Sequence, residues 1–180
     1  MLTIFNTTLA APEIYRELEN SHPGYEAKWD LRFLELAMHI SQWSKDPSTK
    51  VGAVIVDQKR RIVGQGYNGF ARHSSDHPEL YSIREEKYAR VVHAEVNAIL
   101  NANKSVESCT LYSTFFPCSN CAAVIIQAGI TRVVSLRHSS DERYAKVFER
   151  SREMFKWADV KYLIADLEEG KWSAPQRTFI

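Results

Sequence analysis

The chain has 180 residues, 44% of them hydrophobic and 25% charged, values of an ordinary globular domain long enough to bury a core. A formal net charge of +1 gives no electrostatic case for nucleic acid or an anionic membrane as partner. No run of about eighteen apolar residues is present, no charged-then-apolar leader opens the chain, and the three cysteines fit a reducing compartment, so a cytoplasmic protein is expected.

Residues 1–28 are broken by Pro12, Pro23 and Gly24 and read as an N-terminal extension, with a short helix expected over 13–20. Residues 29–45 carry a helical pattern: Leu31, Leu34, Met38 and Ser41 share a face that Ala37 and Ile40 widen. Asp30 is expected to cap this helix and Asp46-Pro47 to end it. Residues 50–57 and 61–67 are β-rich and separated by a turn at 58–60, which predicts a hairpin. Gly52 and Gly64 within these strands point to close backbone or ligand approach. Gly66-Tyr67-Asn68-Gly69 ends the second strand in a backbone that other residues avoid, a plain turn on one reading and a ligand contact on the other.

Residues 70–90 form about twenty polar positions expected to be an irregular loop, which in a compact domain is functional or disordered. The loop carries Arg72, His73, His77, Arg84, Lys87 and Arg90 beside Tyr81 and Tyr88, either a solvated surface or a cradle for a phosphate. A helix is expected over 91–103, a third strand over 109–115, a helix over 122–128 with Gly129 as its stop, and a fourth strand over 131–136. Strand, helix and strand at that spacing imply a parallel crossover. An amphipathic helix over 141–157, a fifth strand over 160–164 and a tail over 166–180 complete the chain. The expected fold is one α/β domain, a mixed five-stranded sheet with helices on both faces.

The chemistry concentrates between His93 and Cys121. Cys118 and Cys121 stand three apart behind Pro117, a spacing that puts both sulfurs on one face at a helix N-terminus, where the helix dipole favours thiolate. His93 and Glu95 open another helical pattern, and two residues apart they point different ways, as suits a metal ligand and a proton carrier. His93, Cys118 and Cys121 make three protein ligands, the number a catalytic zinc keeps while its water drops toward a neutral pKa. A structural zinc completed by Cys109 and a redox-active dithiol are the weaker readings, the second because it leaves His93 and Glu95 without a role.

His-x-Glu followed by Pro-Cys-x-x-Cys resembles the zinc nucleobase deaminases. Within them the chain is similar to the deoxycytidylate (dCMP) deaminases. The segments that carry this are DPSTKVGAVIVD (46–57), GYNGF (66–70), KYARVVHAEVNAIL (87–100), TLYSTFFPCSNCA (110–122) and IIQAGITRVV (125–134). The pattern places the metal where two helix N-termini meet at one sheet edge, and the resemblance implies that this layout is the cytidine-deaminase-like fold. It implies one zinc per chain on His93, Cys118 and Cys121, and hydrolysis of dCMP to dUMP and ammonia, with Glu95 carrying the protons. The dUMP would supply thymidylate synthesis. Substrate contacts are expected from Asn68, Ala94, Ser113, Thr114, Phe115, Arg84, Lys87 and Tyr88. Phe115 and Phe116 could stack on a pyrimidine or belong to the core. Asp46, Lys50, Gly66, Tyr67, Asn68 and Gly69 are expected near an effector nucleotide, dCTP as activator or dTTP as inhibitor, with Mg2+ as its companion, and Lys50 and Asn68 stay open between substrate and effector. A homohexamer is also implied. Ala89 departs from the family, where Pro is common, and bears on the loop path. The alternatives are a zinc deaminase acting on a free nucleoside, a nucleoside triphosphate or a base in nucleic acid, the last not supported by the net charge, and an inactive zinc-stabilised binding module.

Overall fold

A computed structural model of the chain describes residues 23–75, 77–136 and 144–165, the first five by backbone alone. In chain order these form α1 (Pro23–Ser41), β1 (Gly52–Val56), β2 (Ile62–Tyr67), β3 (Gly69–Phe70), α2 (Pro78–Ser82), α3 (Arg84–Arg90), β4 (Val91–Val92) and α4 (Ala94–Leu100). There follow β5 (Thr110–Ser113), α5 (Ser119–Gln127), β6 (Arg132–Leu136), α6 (Ala145–Trp157) and β7 (Lys161–Ala165). The helix expected at 13–20, the start of the one expected at 141 and the tail over 166–180 lie outside the described residues.

The main sheet has the order β2-β1-β5-β6-β7. β1 pairs antiparallel with both β2 and β5, and β5, β6 and β7 run parallel. This is the mixed five-stranded sheet expected from the pattern. Side chains alternate across it. Ala53 and Ile55 face a core shared with Ala98, Ile125, Phe148 and Phe155, whereas Val54 and Val56 face Phe33, Leu34, Ala37 and Ile40 of α1. Thus α1 covers one face, and α4, α5 and α6 cover the other. Gly129 ends the α5 segment at φ +77, a left-handed conformation that costs glycine little.

Asp30 does not cap α1. The helix starts at Pro23, inside the stretch read as an extension, and Asp30 lies within it, 5% exposed. Its carboxylate accepts from Arg132 Nη1 at 2.8 Å, Arg132 Nη2 at 2.7 Å and the Tyr112 hydroxyl at 2.8 Å. This forked pair ties α1 to the central strands, and its partners are too distant in sequence for a local rule to find. Asp30→Ala would remove both charge-assisted bonds of the fork from the half-buried Arg132. The expected loss is about 3 kcal/mol, a fall in Tm of about 10 °C by calorimetry with zinc content unchanged. An unchanged Tm would mean that the fork contributes nothing to stability.

The stretch over 70–90 is not irregular. It holds α2 and α3, and β3 pairs antiparallel with β4 to form a small separate ribbon. The Phe70 ring stacks on Tyr81 with centroids 4.0 Å apart and planes 4° from parallel. Strands of two residues are too short for alternation to register, so the expected helix over 91–103 begins late, at Ala94. Among the described residues no helix is long and apolar enough to cross a membrane.

Candidate metal centre

His93 follows β4 directly and is the N-cap residue of α4, with extended backbone at φ −71 and ψ 154. Cys118 holds the same place on α5 at φ −69 and ψ 168, and Cys121 lies in the first turn. Neither side chain makes a capping hydrogen bond to its helix, and both turn toward the same point. The two helix N-termini therefore meet as expected, at the C-terminal end of β5, the central strand rather than an outer one.

The position of α4 depends on β2. A Cβ built on Gly66 would lie 2.6 Å from the Ala94 carbonyl oxygen and 2.7 Å from the Asn97 carbonyl carbon, so the helix rests directly on the strand backbone. Gly52 makes a similar approach to Ala37 and Ser41 of α1, and Gly64 to Ala98, which accounts for both strand glycines. Two side chains then pin the helix: Asn97 Nδ2 donates to the Tyr67 carbonyl at 2.8 Å and Asn101 Nδ2 to the Gln65 carbonyl at 3.1 Å. The Asn103 amide donates to the Val63 carbonyl at 2.9 Å. These bonds occupy three carbonyls on the outer edge of β2, which blunts it against pairing with another strand.

His93 Nδ1 lies 3.5 Å from Cys118 Sγ and 3.2 Å from Cys121 Sγ, and the three ligand atoms all fall within 4.8 Å of one another. In a tetrahedral zinc site, bonds of about 2.0–2.1 Å to nitrogen and 2.3 Å to sulfur place neighbouring N and S about 3.5 Å apart. The residues fit the metal. The hydrogen bond between the two thiols pushes Cys118 down to about 4, with His93 adding to it against burial, and the same bond pushes Cys121 up. His93 is raised, first by its bond to Cys118. Thiolate is therefore favoured at Cys118, while His93 and Cys121 hold protons that a divalent cation would displace on binding. Cys109 lies at the opposite end of β5, buried in the core, and among the described residues no fourth ligand joins the group.

Glu95 stands in the first turn of α4, 4% exposed. Burial raises its pKa above the usual carboxylate range, and its carboxyl is hydrogen-bonded with Cys121. A buried carboxyl that touches the metal-ligand group is suited to hold a proton and release it.

Around the centre, Ala94 and Ser113 are fully buried, and the Ser113 hydroxyl accepts from the Phe115 amide at 3.4 Å. Thr114 brackets Gly52, accepting its amide at Oγ1 at 3.1 Å and donating its own amide to the Gly52 carbonyl at 3.0 Å. Phe116 is a core residue, and Phe115 is half-buried, edge-on to Tyr144 and Phe148. Tyr88 is 52% exposed with the Arg84 guanidinium 5.2 Å from its ring centroid, so both lie at the surface of α3.

The Asn68 amide is held by the chain itself, donating to the Thr49 carbonyl at 2.9 Å and Asp46 Oδ2 at 3.3 Å and accepting from the Val51 amide at 2.8 Å. Asp46 is fully buried and Lys87 Nζ lies 2.6 Å from its Oδ2, so residues expected near effector and near substrate form one network. Burial alone would raise the Asp46 carboxyl, but Lys87 and the Ser48 and Thr49 donors hold it below its usual value. Lys50 and Tyr67 are exposed, Gly66 is buried under α4 and Gly69 opens β3. Sequence reasoning did not single out Asn97 or the hub role of Asp46. The Asn97 to Asn101 spacing on one helix face was the signal for the first; the second had none.

A family model for the cytidine and deoxycytidylate deaminase zinc-binding region matches residues 27–137. The chain is 44% identical to an uncharacterized deaminase in the luxG 3' region of Aliivibrio fischeri, over 75% of this chain and 92% of that one. It is 41% identical to deoxycytidylate deaminase of Mus musculus, over 75% of this chain and 78% of the relative. Its fold matches the dCMP deaminase of cyanophage S-TIM5, solved with dCMP and dUMP, at a TM-score of 0.64 and 22% identity over 76% of this chain and 96% of that one. The chain belongs to the zinc-dependent cytidine and deoxycytidylate deaminase family, and its cytidine-deaminase-like fold and three-ligand centre are those expected from the motifs.

Proposed function

We propose that this protein deaminates dCMP to dUMP and ammonia by hydrolysis. The observation that carries this is the triangle of His93, Cys118 and Cys121 with the buried carboxyl of Glu95 against it. When bound there, zinc supplies a water whose pKa is lowered toward neutrality. Glu95 would accept a proton from the attacking water and pass it to N3 of the cytosine ring, then take the proton of the hydroxyl formed at C4 and give it to the departing amino nitrogen, which leaves as ammonia as the C4 carbonyl forms. Burial serves this sequence of transfers, since it makes the carboxyl hold a proton more firmly than an ordinary glutamate does. The helix N-termini at His93 and Cys118 favour negative charge in the centre. The preference for a monophosphate is supported by relatives of about 40% identity that carry that name.

The rest of the reading belongs to this proposal. Thr114, Ser113, Ala94 and Phe115 would line the base pocket, and Arg84 and Tyr88 at the surface of α3 would meet the phosphate. The segment over 46–50 with 66–69 would meet an effector, dCTP or dTTP with Mg2+. A homohexamer in the cytoplasm, built on a single domain over 1–180 with end segments 1–28 and 166–180, completes it.

The test is the loss of cytosine absorbance with dCMP, dCTP and deoxycytidine compared side by side, with zinc measured on the same samples. Strong preference for dCMP is expected, with about one zinc per chain. Turnover of deoxycytidine alone would keep the chemistry and overturn the monophosphate. No turnover of any, with zinc bound, would overturn the activity.

A further inference from the structure

Asp46 is the most connected buried carboxylate in the described residues that the chemistry above does not use. Its Oδ1 accepts from the Ser48 amide and hydroxyl, each at 2.9 Å, and from the Thr49 amide at 3.1 Å. Its Oδ2 takes Lys87 Nζ at 2.6 Å and Asn68 Nδ2 at 3.3 Å. Lys87 also donates to the Ser48 hydroxyl at 2.6 Å. Ser44 closes the arrangement, its hydroxyl donating to the Asn68 carbonyl at 2.8 Å and accepting from the Asp46 amide at 3.2 Å.

The two partners on Oδ2 stand at special places. Asn68 comes immediately before β3, and Lys87 lies in α3, which runs directly into β4. β3 and β4 are the two strands of the small ribbon, and β4 leads directly into His93. One carboxylate therefore grips both roots of the excursion that leaves the main sheet at Tyr67 and returns at a metal ligand. Lys87 is only 13% exposed in its side chain and its charge faces Asp46, so an anionic substrate would have to displace Asp46 to use it.

We infer that Asp46 and Lys87 form a clamp that positions the β3–β4 ribbon, and through it His93 and the mouth of the site, and that Lys87 acts in catalysis as a positioning residue rather than as the cation that binds a substrate phosphate. The pair is buried enough that removing one partner strands the other. The inference rests on the deaminase reading for its kinetic test and stands apart from it for its structural one.

The kinetic test compares Asp46→Asn, Lys87→Met and the double variant on dCMP and on deoxycytidine, which lacks the phosphate. A clamp predicts that each single variant lowers kcat/KM by a similar factor on both substrates, about 10- to 100-fold, since a small displacement of the ribbon misplaces the catalytic groups. The double variant should recover part of the Asp46→Asn loss, because the unpaired ammonium is gone. A Lys87→Met loss confined to dCMP would overturn the inference, since it would place the lysine on the phosphate. Asp46→Asn with wild-type kinetics would overturn it equally. Hydrogen exchange supplies the readout that does not depend on turnover: Asp46→Asn should speed exchange at the Asn68 amide and along 69–92 at least tenfold, with α6 unchanged. Unchanged exchange along 69–92 would overturn the clamp even if no substrate were turned over. Inactivity of the wild-type protein on both compounds, with faster exchange in the variant, would fault the deaminase reading and leave the clamp standing.

Discussion

Glu95→Gln is expected to remove turnover while leaving the metal bound. The glutamine side chain fills the same buried space, so packing in the first turn of α4 is retained. What it loses is the carboxyl proton site. One general acid–base group contributes about 10²- to 10⁴-fold, and Glu95 serves more than one transfer, so a fall in kcat of about 10⁴-fold is expected. Stability should not fall with it. Burial already raises the Glu95 pKa, which means the charged form is disfavoured at that site, and a neutral amide removes this strain. The expected record is therefore zinc per chain unchanged, Tm unchanged or raised, and kcat near zero. Loss of zinc would make Glu95 part of the metal site, and full activity would end its role as proton carrier.

The second large effect comes from a residue with no functional group. Gly66→Ala places a methyl among the backbone of Ala94, Asn97 and Ala98, atoms that cannot rotate away. Overpacking in a core costs about 1–3 kcal/mol, and contact with helix backbone should reach the upper end of that range. To relieve it, α4 must lift from β2, which strains the bonds from Asn97 and Asn101 and moves Glu95 and the root of His93. A displacement near 1 Å costs about 10²-fold in rate. Both Tm and kcat/KM should therefore fall in Gly66→Ala, with zinc affinity reduced. Gly69→Ala is the control. A Cβ there would meet only the Tyr81 hydroxyl oxygen at 3.9 Å and a Tyr67 ring carbon at 4.0 Å, ordinary contacts, and its Tm should stay within about 1 °C of wild type. Equal behaviour of the two variants would show that α4 does not rest on Gly66 as described.

The metal ligands could be read from the sequence because their chemistry is local. Cys118 and Cys121 are one helical turn apart, His93 and Glu95 share another, and few other roles need those residue types at those spacings. The five main strands were legible for a related reason. Most are short runs rich in β-branched and apolar residues between turn residues, and the parallel crossover from β5 through α5 to β6 follows from its length. Even the strand glycines announced a close approach, although not what approached. Asp30 shows where this kind of reading stops. As an acidic residue near the start of a helical pattern it resembles a cap, and only the arrival of Arg132 and Tyr112 from β6 and β5 makes it the buried half of a fork. The ribbon of β3 and β4 escaped because two residues carry no period. The Asp46 network escaped because its members lie on three separate segments, so nothing in their spacing joins them.

The sequence by itself therefore determined the group of zinc-ligating residue types, the family and the plan of a mixed five-stranded sheet, since each rests on residues whose interaction lies within a turn or on a pattern repeated along one element. Tertiary structure alone decided what holds that centre in place. Gly66 beneath α4, the asparagines on the edge of β2 and the carboxylate of Asp46 act through contacts between distant segments, and such contacts exist only after folding has brought those segments together.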